Sequence, residues 1–297
     1  MKSLIKKIIN PLELIRAYQF HKDASNHIKA SKDLELMLYS KIITNDMLHY
    51  GYFEDVDVDP ETISIKDLEN AQMKYVELIV EQILDKKNNI LDVGCGMGGL
   101  SKILFDKGMK VHSLTPDDNQ KKYIEKHYPE LMVHHMKFED FSIDKQFATI
   151  INSESLQYID LDTAFNSVSK LLSNNGKWII TDYFRINNDG INKSGHMHHD
   201  FLNSVKKNGW KITYENDMTL NSLPTLKCAI TFINRFIKPL AFFGNEKLKH
   251  KQGWLFYLTN ELRNNMSKKF EKELAALDPE KFIKEKKYML YVLEKKG

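Results

Sequence analysis

One stretch of the chain decides the fold: Ile90-Leu91-Asp92-Val93-Gly94-Cys95-Gly96-Met97-Gly98-Gly99. It joins a β-prone apolar run to four glycines, and a helical pattern from Leu100 to Gly108 follows directly. A strand, a glycine loop and a helix in this order form the turn at which a doubly wound α/β sheet receives a nucleotide-like ligand. The first, second and fourth glycines also match the G-x-G-x-x-G spacing of dinucleotide sites.

Asp92 helps to decide which ligand this loop binds. It lies two residues before Gly94, where a carboxylate would repel a pyrophosphate at short range. A ligand with a cationic amino-acid end suits this position, and S-adenosylmethionine has one, together with a sulfonium and no phosphate. We therefore expect S-adenosylmethionine as cofactor and S-adenosylhomocysteine as its product, in contact with Asp92, Gly94, Cys95 and Gly96. The alternative for Asp92 is a cap on the helix that follows.

Composition limits the classes of function. The 297 residues are 42% hydrophobic and include 16 Phe, which is ample for a sizeable core. The net charge of +3 is small, and basic residues are scattered among acidic ones, so no nucleic-acid surface is expected. The two cysteines, Cys95 and Cys228, make neither a disulfide framework nor a zinc pattern, which favours a cytoplasmic protein without metal.

The N-terminal region, residues 1 to about 45, has a helical pattern. Its apolar run is interrupted by Lys6 and Lys7, so it is not a convincing signal peptide. Two interpretations stay open: a basic amphipathic helix in peripheral contact with an anionic membrane, or a cap helix packed on the core. The apolar positions behind both are Leu4, Ile5, Ile8, Ile9, Leu12 and Ile15.

Strands and helices alternate along the middle of the chain. This alternation predicts a mostly parallel sheet with helices on both faces. A helix over 66–85 precedes it, and Asn174-Asn175-Gly176 predicts a turn before the fifth strand. Predicted strands cover 89–93, 110–115, 131–136, 148–152, 177–182 and 210–215, and predicted helices cover 100–107, 117–126, 161–172 and 200–208.

The last third of the chain differs from this alternation. Residues 225 to about 287 are helical in pattern, with many aromatic and basic residues, and residues 287–294 read as a final strand. The fold class that we expect is a doubly wound, seven-stranded Rossmann-like sheet. Its predicted parts are an N-terminal helical cap with an aromatic loop (1–66), the core (67–218), a helical lid (219–286) and the final core strand (287–297).

Ligands of open α/β sheets lie at the carboxyl ends of the strands. After the second strand, Thr115 and Gln120 could bond a ribose as neutral partners. Alternatively, Asp117 or Asp118 caps the helix that begins there. After the third strand, Phe138 could stack on adenine and Glu139 could accept from its exocyclic amine, although such a pair is also common on surfaces.

Polar residues also follow the fourth strand. We expect Asn152 in contact with the cofactor and Glu154 as a base, a substrate clamp or a helix-start residue. Our hypothesis is that His49, Tyr50, Glu154 and Tyr158 converge around the transferred methyl group, because their loops should overhang the ends of the first and fourth strands. We assign His49, Glu154 and Tyr158 to catalysis and Tyr50 to the cofactor.

Over residues 45 to 217 the chain resembles the class I S-adenosylmethionine-dependent methyltransferases. The cyclopropane fatty acid synthase and mycolic acid branch shares "T-x-x-x-x-Q", here Thr115 and Gln120, and "W-E-x-F", here Phe138-Glu139-Asp140-Phe141. The tocopherol methyltransferase branch shares three motifs. They are "H-x-G-Y", here His49-Tyr50-Gly51-Tyr52, "E-A-Q", here Asn70-Ala71-Gln72, and "E-S-x-x-H", here Glu154-Ser155-Leu156-Gln157-Tyr158.

Departures from these patterns narrow the reaction. Cyclopropane synthases hold a bicarbonate base with residues whose places are taken here by Tyr50, Gln157-Tyr158 and Thr181. The resemblance therefore implies plain methyl transfer rather than ring formation. The second Glu of protein arginine methyltransferases and the Asn/Asp-Pro-Pro-Tyr loop of base-modifying enzymes are missing from the sequence, which favours a small-molecule acceptor.

The acceptor is indicated only by an apolar stripe. A lid with these residues would suit a lipid, quinone, terpenoid or polyketide, whereas the alternative is ordinary helix core. The tract Gly195-His196-Met197-His198-His199-Asp200 lies where a helix should begin and lacks a fourth ligand at a suitable spacing, so capping and surface roles are favoured over metal binding. The stripe comprises Phe232, Ile233, Phe236, Ile237, Leu240, Phe242 and Phe243.

Two other classes of function remain as alternatives. A nicotinamide-dependent oxidoreductase would need an acid or Arg where Thr115 stands, and would tolerate Asp92 badly. A non-catalytic protein that binds S-adenosylmethionine would keep the cofactor pocket and lack an acceptor site.

Overall fold

The computed structural model describes residues 9–30, 41–83, 87–188 and 193–296. In these ranges one sheet has seven strands, which are β1 (Asn89–Val93), β2 (Lys110–Thr115), β3 (Met132–His135), β4 (Phe147–Ser153), β5 (Leu172–Arg185), β6 (Trp210–Asp217) and β7 (Lys286–Lys295). The strand order is β3-β2-β1-β4-β5-β7-β6. The pairings among β1 to β5 are parallel, and β7 runs antiparallel to both β5 and β6. The predicted mostly parallel, seven-stranded α/β fold is confirmed.

Helices connect the strands. Those of the described ranges are α1 (Pro11–Ala30), α2 (Ile65–Glu81), α3 (Gly99–Asp106), α4 (Asp118–His127), α5 (Leu161–Leu171), α6 (His198–Lys207), α7 (Thr219–Phe232), α8 (Lys238–Lys251), α9 (Gly253–Leu258), α10 (Asn260–Ala276) and α11 (Pro279–Glu285). A π-helical turn, Ile233–Ile237, joins α7 to α8, and short 3-10 turns lie at Phe138–Asp140 and Leu156–Tyr158.

Both faces of the sheet are buried, as the apolar strands predict. Successive side chains of a strand point to opposite faces, so Leu91 and Val93 pack in one core and Ile90 packs in the other. Trp178 and Ile179 of β5 divide in the same way. This two-sided burial holds the carboxyl ends of β1 and β4 in place at one edge of the core.

Local capping chemistry sets where several helices begin. Ser64 and Asp67 form a reciprocal capping box at the start of α2, and the Asp117 and Asp160 side chains accept from backbone N–H groups of α4 and α5. These bonds satisfy N–H groups that have no partner within the helix. The suggestion that Asp117 caps its helix is thus confirmed.

Element boundaries differ from the predictions at three places. The predicted turn at Asn174-Asn175-Gly176 lies inside β5, where Asn175 has φ 64° and the register with β4 shifts. The turn residues therefore bulge out of a continuing strand rather than ending it. The helix predicted from residue 225 begins at Thr219, and the helix predicted to residue 85 ends at Glu81.

Residues 9–23 of the N-terminal region do not pack on the core. In α1, Leu12, Tyr18 and Phe20 are 65%, 69% and 76% exposed. The interpretation as a packed cap helix therefore does not hold for residues 9–23, whereas Leu4, Ile5 and Ile8 lie outside the described residues. Among the described helices, none is long and apolar enough to cross a membrane. The predicted domain boundaries stay predictions.

Candidate active site

A cavity of about 620 Å³ opens at the carboxyl ends of β1, β2 and β4. Its walls come from the glycine loop after β1, from the start of α4, from the turns after β3 and β4, and from residues 46–49 of the N-terminal loop. This is the edge at which ligands of open α/β sheets bind.

Asp92 lies in the floor of this cavity and is 1% exposed. The Ser101 hydroxyl donates to Asp92 Oδ2 at 2.6 Å, and the Ser113 hydroxyl donates to Ser101 Oγ at 2.8 Å. Burial raises the pKa of Asp92 to about 6, and the bond from Ser101 opposes that rise. Such a carboxylate gains stability from a cationic ligand group.

Glycines beside Asp92 allow the backbone to approach both the neighbouring loop and the cavity. Gly94 has φ 72°, and a Cβ built there would lie 2.5 Å from Ser155 Cβ. Gly96 has φ 56°, in the left-handed region that favours glycine. Cys95 lines the cavity and is buried, and burial raises the pKa of its thiol well above the usual range.

Thr115 lies behind Gln120 at the start of α4. Thr115 is fully buried and is not among the cavity walls, whereas Gln120 is. The Thr115 hydroxyl donates to Gln120 Oε1 at 2.5 Å and so orients the Gln120 amide. The predicted contact of Thr115 with a ribose stays a prediction. A sequence motif pairs the two residues without showing which of them reaches the ligand.

Phe138 and Glu139 both line the cavity at the 3-10 turn after β3. Phe138 is 4% exposed, so its ring belongs partly to the core and partly to the cavity wall. This placement is compatible with the predicted contact to adenine, which stays a prediction.

Glu154 lines the cavity at the end of β4 in a left-handed conformation with φ 51°. Its Oε1 accepts from the Tyr288 hydroxyl at 2.6 Å and from the Tyr50 backbone N–H at 3.1 Å. Burial raises the pKa of this carboxyl, and the two hydrogen bonds oppose the rise. Tyr288 comes from β7, so the last strand of the sheet orients a residue of the fourth.

His49 lines the same cavity and stacks on Tyr75, with ring centroids 3.9 Å apart. Its Nδ1 lies 2.8 Å from the Tyr50 carbonyl oxygen. A carbonyl only accepts, so Nδ1 carries the proton and Nε2 has the lone pair. Burial lowers the pKa of His49 to about 4, and Nε2 has no hydrogen-bond partner in the described part of the chain. The imidazole is thus a neutral acceptor at neutral pH.

Three further predicted residues take different places. Tyr158 lines the cavity and is 78% exposed, at the cavity mouth. Tyr50 does not line it, because its ring packs against Phe282 and Tyr288. Asn152 is buried behind the wall, where it accepts from Trp178 Nε1 at 2.8 Å. The predicted cofactor contacts of Tyr50 and Asn152 stay predictions.

The sequence reasoning missed the residues that hold the N-terminal loop over the cavity. Gln72 Nε2 donates to the Met47 and His49 carbonyl oxygens at 3.0 and 2.8 Å. A Cβ on Gly99 would lie 2.8 Å from the Asp46 carbonyl oxygen, so this glycine admits the loop. The signal for Gln72 was present in the "E-A-Q" motif, but the motif does not tell what the amide binds.

Asp46, also missed, is a wall residue in the left-handed region with φ 55°. Its carboxylate accepts hydrogen bonds from the Tyr123 and Tyr128 hydroxyls of the α4 region. These bonds tie the N-terminal loop to the far side of the cavity. No local pattern around Asp46 indicated this, since its partners are 77 and 82 residues away.

The histidine tract near α6 makes structural contacts. His196 Nε2 lies 2.9 Å from the Ile159 carbonyl oxygen, and His198 Nε2 lies 2.7 Å from the Tyr291 hydroxyl. His199 lies 2.9 Å from the Asp200 carboxylate. Within the ranges that the structure describes, no group of three or more His, Cys, Asp or Glu residues is placed to hold a metal ion.

Solved structures share this fold. The [4+2]-cyclase SpnF superposes with a TM-score of 0.65 at 16% identity, over 91% of this chain and 94% of the cyclase. Geranyl diphosphate C-methyltransferase from Streptomyces coelicolor A3(2), in complex with Mg²⁺, geranyl diphosphate and S-adenosyl-L-homocysteine, superposes with a TM-score of 0.63 at 16% identity, over 84% of this chain and 92% of that one. At such identities the likeness shows the fold alone.

Curated proteins that match this sequence are named methyltransferases. Sterol 4-C-methyltransferase strm-1 of Caenorhabditis elegans is 27% identical over 157 residues, which is 47% of this chain and 46% of the relative. The alignments with the first three curated relatives, each named a methyltransferase, cover 61%, 46% and 51% of their lengths.

A family model covers the site and most of the sheet. The family match and the curated relatives, each named a methyltransferase, agree with the predicted methyltransferase family. Residues 19–239 match the model described as mycolic acid cyclopropane synthetase, and the chain belongs to this family.

Proposed function

We propose that this chain transfers the methyl group of S-adenosylmethionine to a small apolar molecule by in-line displacement. The observation that carries the proposal is one cavity lined by two chemically different groups of residues. We assign Asp92, the glycine loop and Glu139 to a cofactor end, and His49 and Glu154 to an acceptor end. The first end suits a cationic amino acid and a nucleoside, and the second offers oriented acceptor atoms to the molecule being methylated.

At the cofactor end, each group has a distinct role. The Asp92 carboxylate faces the methionine ammonium, directly or through water, and Gly94 and Gly96 let the backbone approach it. Because Gln120 Oε1 is used by Thr115, its Nε2 amide is the donor to a ribose oxygen. Glu139 accepts from the ribose or the adenine amine. The cofactor supplies an activated methyl group on a sulfonium, and these residues hold and orient it.

At the acceptor end, Glu154 is the base if the acceptor must lose a proton, because burial raises its pKa, whereas burial lowers the pKa of His49 to about 4. His49 offers a neutral hydrogen-bond acceptor. Its lone pair is on Nε2, and its neutral state is secured by burial. Both hydrogen bonds to Glu154 go to Oε1, so Oε2 is the oxygen that a substrate group can reach. Tyr158 at the mouth covers the site and reduces its contact with water, which favours transfer over side reactions.

An apolar acceptor is supported from two directions. The relative in Caenorhabditis elegans is named for a sterol, and the Streptomyces structure holds geranyl diphosphate. In this chain, the helices after β6 present exposed Phe and Leu side chains. A cytoplasmic location fits the two free cysteines, Cys95 and Cys228, because thiols stay reduced there.

Cyclopropane-ring formation is the second candidate, and the family match favours it. Against it, Tyr50, Gln157-Tyr158 and Thr181 occupy the places of the bicarbonate-holding residues. S-adenosylmethionine with a trideuterated methyl group separates the two reactions. Plain transfer keeps all three deuterium atoms in the product, whereas ring closure loses one as a deuteron, and mass spectrometry of a methylated lipid extract counts them.

The proposal is tested by ligand binding and turnover. S-adenosylhomocysteine should raise the thermal midpoint of the protein and NAD should not. With a lipid extract as acceptor, His49→Ala, Glu154→Ala and Tyr158→Ala should each reduce turnover more than they reduce affinity for S-adenosylhomocysteine. His199→Ala and Tyr214→Phe, at exposed positions of α6 and β6, are the matched controls. Stabilisation by NAD alone, or full activity in all three site variants, contradicts the proposal.

A further inference from the structure

A segment of the helical region after β6 has no buried residue. From residue 231 to residue 275, which we call the helical arm, every side chain is intermediate or exposed. The arm contains the π-helical turn, α8, α9 and nearly all of α10. A segment of this length that buries nothing in its own core requires another explanation for its composition.

Large apolar side chains of the arm lie in solvent. Leu240, Phe242 and Tyr257 are 66%, 68% and 80% exposed. Several of these residues recur three or four positions apart, as neighbours on a helix do. The exposed set comprises Phe232, Phe236, Ile237, Leu240, Phe242, Phe243, Tyr257, Leu258, Leu262 and Met266.

Positive charge accompanies these side chains. Within the arm, nine Lys and Arg residues stand against four Glu residues. Lys247, Lys249 and Lys251 are exposed at the end of α8. The basic residues are Arg235, Lys238, Lys247, Lys249, Lys251, Arg263, Lys268, Lys269 and Lys272, and the acidic ones are Glu246, Glu261, Glu271 and Glu273.

We propose that the helical arm docks on the surface of a lipid membrane that contains anionic phospholipids. Exposed aromatic and aliphatic side chains insert at the boundary between headgroups and acyl chains, and the lysines bind the anionic headgroups. The arm lies on the membrane rather than across it, since no described helix is long and apolar enough to span. The proposal concerns the surface alone and goes beyond the proposed methyl transfer.

The charge of the arm favours contact with an anionic membrane over contact with a second copy of the chain. Two arms facing each other would bring together two segments with an excess of positive charge, which repel. Helix α1 also exposes apolar residues, but it carries Glu13 and Asp23 against Arg16, Lys22 and Lys29, so its excess of positive charge is smaller. An anionic surface therefore attracts the arm more strongly than α1.

Helix α7, which continues into the arm, contacts the loop that carries His49. The Gly51 N–H donates to Thr225 Oγ1 at 3.1 Å, and the Phe53 N–H donates to the Asn221 carbonyl oxygen at 2.9 Å. Asn221 Nδ2 in turn donates to the Phe53 carbonyl oxygen at 2.7 Å. Docking of the arm thus places the aromatic loop, and the cavity next to it, close to the bilayer.

Co-sedimentation of the full chain with vesicles tests the proposal. The vesicles are phosphatidylcholine alone, or phosphatidylcholine with phosphatidylglycerol. We expect binding to the second kind, weakened by added salt, and much weaker binding to the first. Each lysine near an anionic leaflet contributes roughly fivefold, so Lys247→Glu, Lys249→Glu and Lys251→Glu together should weaken binding by about a hundredfold or more.

Matched variants give the comparison. Leu240→Glu with Phe243→Glu should also abolish binding, and Lys107→Glu, Lys110→Glu and Lys170→Glu, exposed elsewhere, should leave it nearly unchanged. The arm substitutions are at exposed positions, and affinity for S-adenosylhomocysteine reports that each variant is folded. Vesicle binding without methyl transfer would contradict the proposed function and leave docking intact.

Three results would overturn the docking proposal. They are failure of the wild-type chain to bind phosphatidylglycerol vesicles, unchanged binding in the arm variants, and a dimer that these variants dissociate. Loss of binding in Leu12→Glu with Tyr18→Glu, with the arm variants still bound, would assign the contact to α1 instead.

Discussion

Replacing Asp92 by Asn removes the charge on which cofactor recognition depends while keeping the shape of the side chain. Asp92 is 1% exposed and accepts from Ser101 at 2.6 Å. Asn retains an oxygen for that hydrogen bond, so the floor of the cavity is preserved. The substitution therefore removes the ion pair with the ligand ammonium and keeps the hydrogen bond from Ser101.

The expected magnitudes follow from burial. Loss of one partner of a buried, hydrogen-bonded ion pair costs about 2 kcal/mol or more, which is roughly 30-fold in Kd. In the ligand-free protein, by contrast, the Asp92→Asn substitution should increase the free energy of unfolding. Burial raises the pKa of Asp92 from 3.8 to about 6, and about two pH units at ~1.4 kcal/mol each correspond to ~3 kcal/mol of destabilisation by the ionised group.

The sign of the pH dependence is set by this raised pKa. The unfolded chain loses the proton first, so the contribution of Asp92 to stability is fully present below pH 3.8 and is lost as pH rises through about 6. Ligand binding depends on pH in the other direction, because the ammonium requires the ionised carboxylate. Affinity of the wild-type chain should be level above pH 6 and fall about tenfold per unit well below it.

Isothermal titration with S-adenosylhomocysteine from pH 5 to pH 8, together with urea denaturation of the ligand-free protein, measures both effects. Ser101→Ala should move the midpoint of the wild-type profile to higher pH, because the Ser101 bond lowers the pKa of Asp92. Asp106→Asn, at an exposed position of α3, is the charge-matched control. Equal affinity of the Asp92→Asn variant at pH 8, or an unchanged pH profile, would refute the reasoning.

Three further substitutions test the framework of the site. Gly94→Ala should lower the free energy of unfolding by at least about 2 kcal/mol and weaken S-adenosylhomocysteine binding, because its φ is positive and the new Cβ meets Ser155. Tyr288→Phe removes a donor that lowers the pKa of Glu154, so the acidic limb of the pH–rate profile should move to higher pH with affinity for the product unchanged. Gln72→Ala leaves two loop carbonyls without their donor and should cost about 2–4 kcal/mol in urea denaturation, with reduced turnover. Normal stability, an unmoved profile or full turnover, respectively, would contradict these expectations.

The glycine loop and the alternation of strands predicted the fold class correctly, because both are local signals. Backbone conformation at Gly94 and the period of apolar residues in β1 depend on neighbours a few positions away. For the same reason the positions of the first five strands along the chain, the helical insertion and the final strand could be expected from the sequence, whereas their order in the sheet was not predicted. The bulge at Asn175 could not be expected, since a turn motif inside a paired strand is decided by the partner strand.

For the side chains around the cavity, too, local signals predicted the position in the sequence but not the orientation in the fold. Asp92, Gln120, Glu139 and Glu154 were predicted because they follow strand ends, and the parallel sheet brings those ends together. Thr115, Tyr50 and Asn152 were also predicted at the cofactor, yet they are not among the residues that line the cavity. A motif gives the residue type at a position, but not which side of the wall its side chain occupies.

What the sequence by itself determined is the sheet, its cofactor edge and the class of cofactor. Only the tertiary structure decided that Tyr288, 134 residues from Glu154 along the chain, donates to that carboxylate. The tertiary structure also decided that Gln72 donates a hydrogen bond to the loop that carries His49. It likewise placed the lone pair of His49 on Nε2, because Nδ1 donates to the Tyr50 carbonyl oxygen. These contacts join distant segments, and their energies depend on burial and distance, which no local pattern encodes.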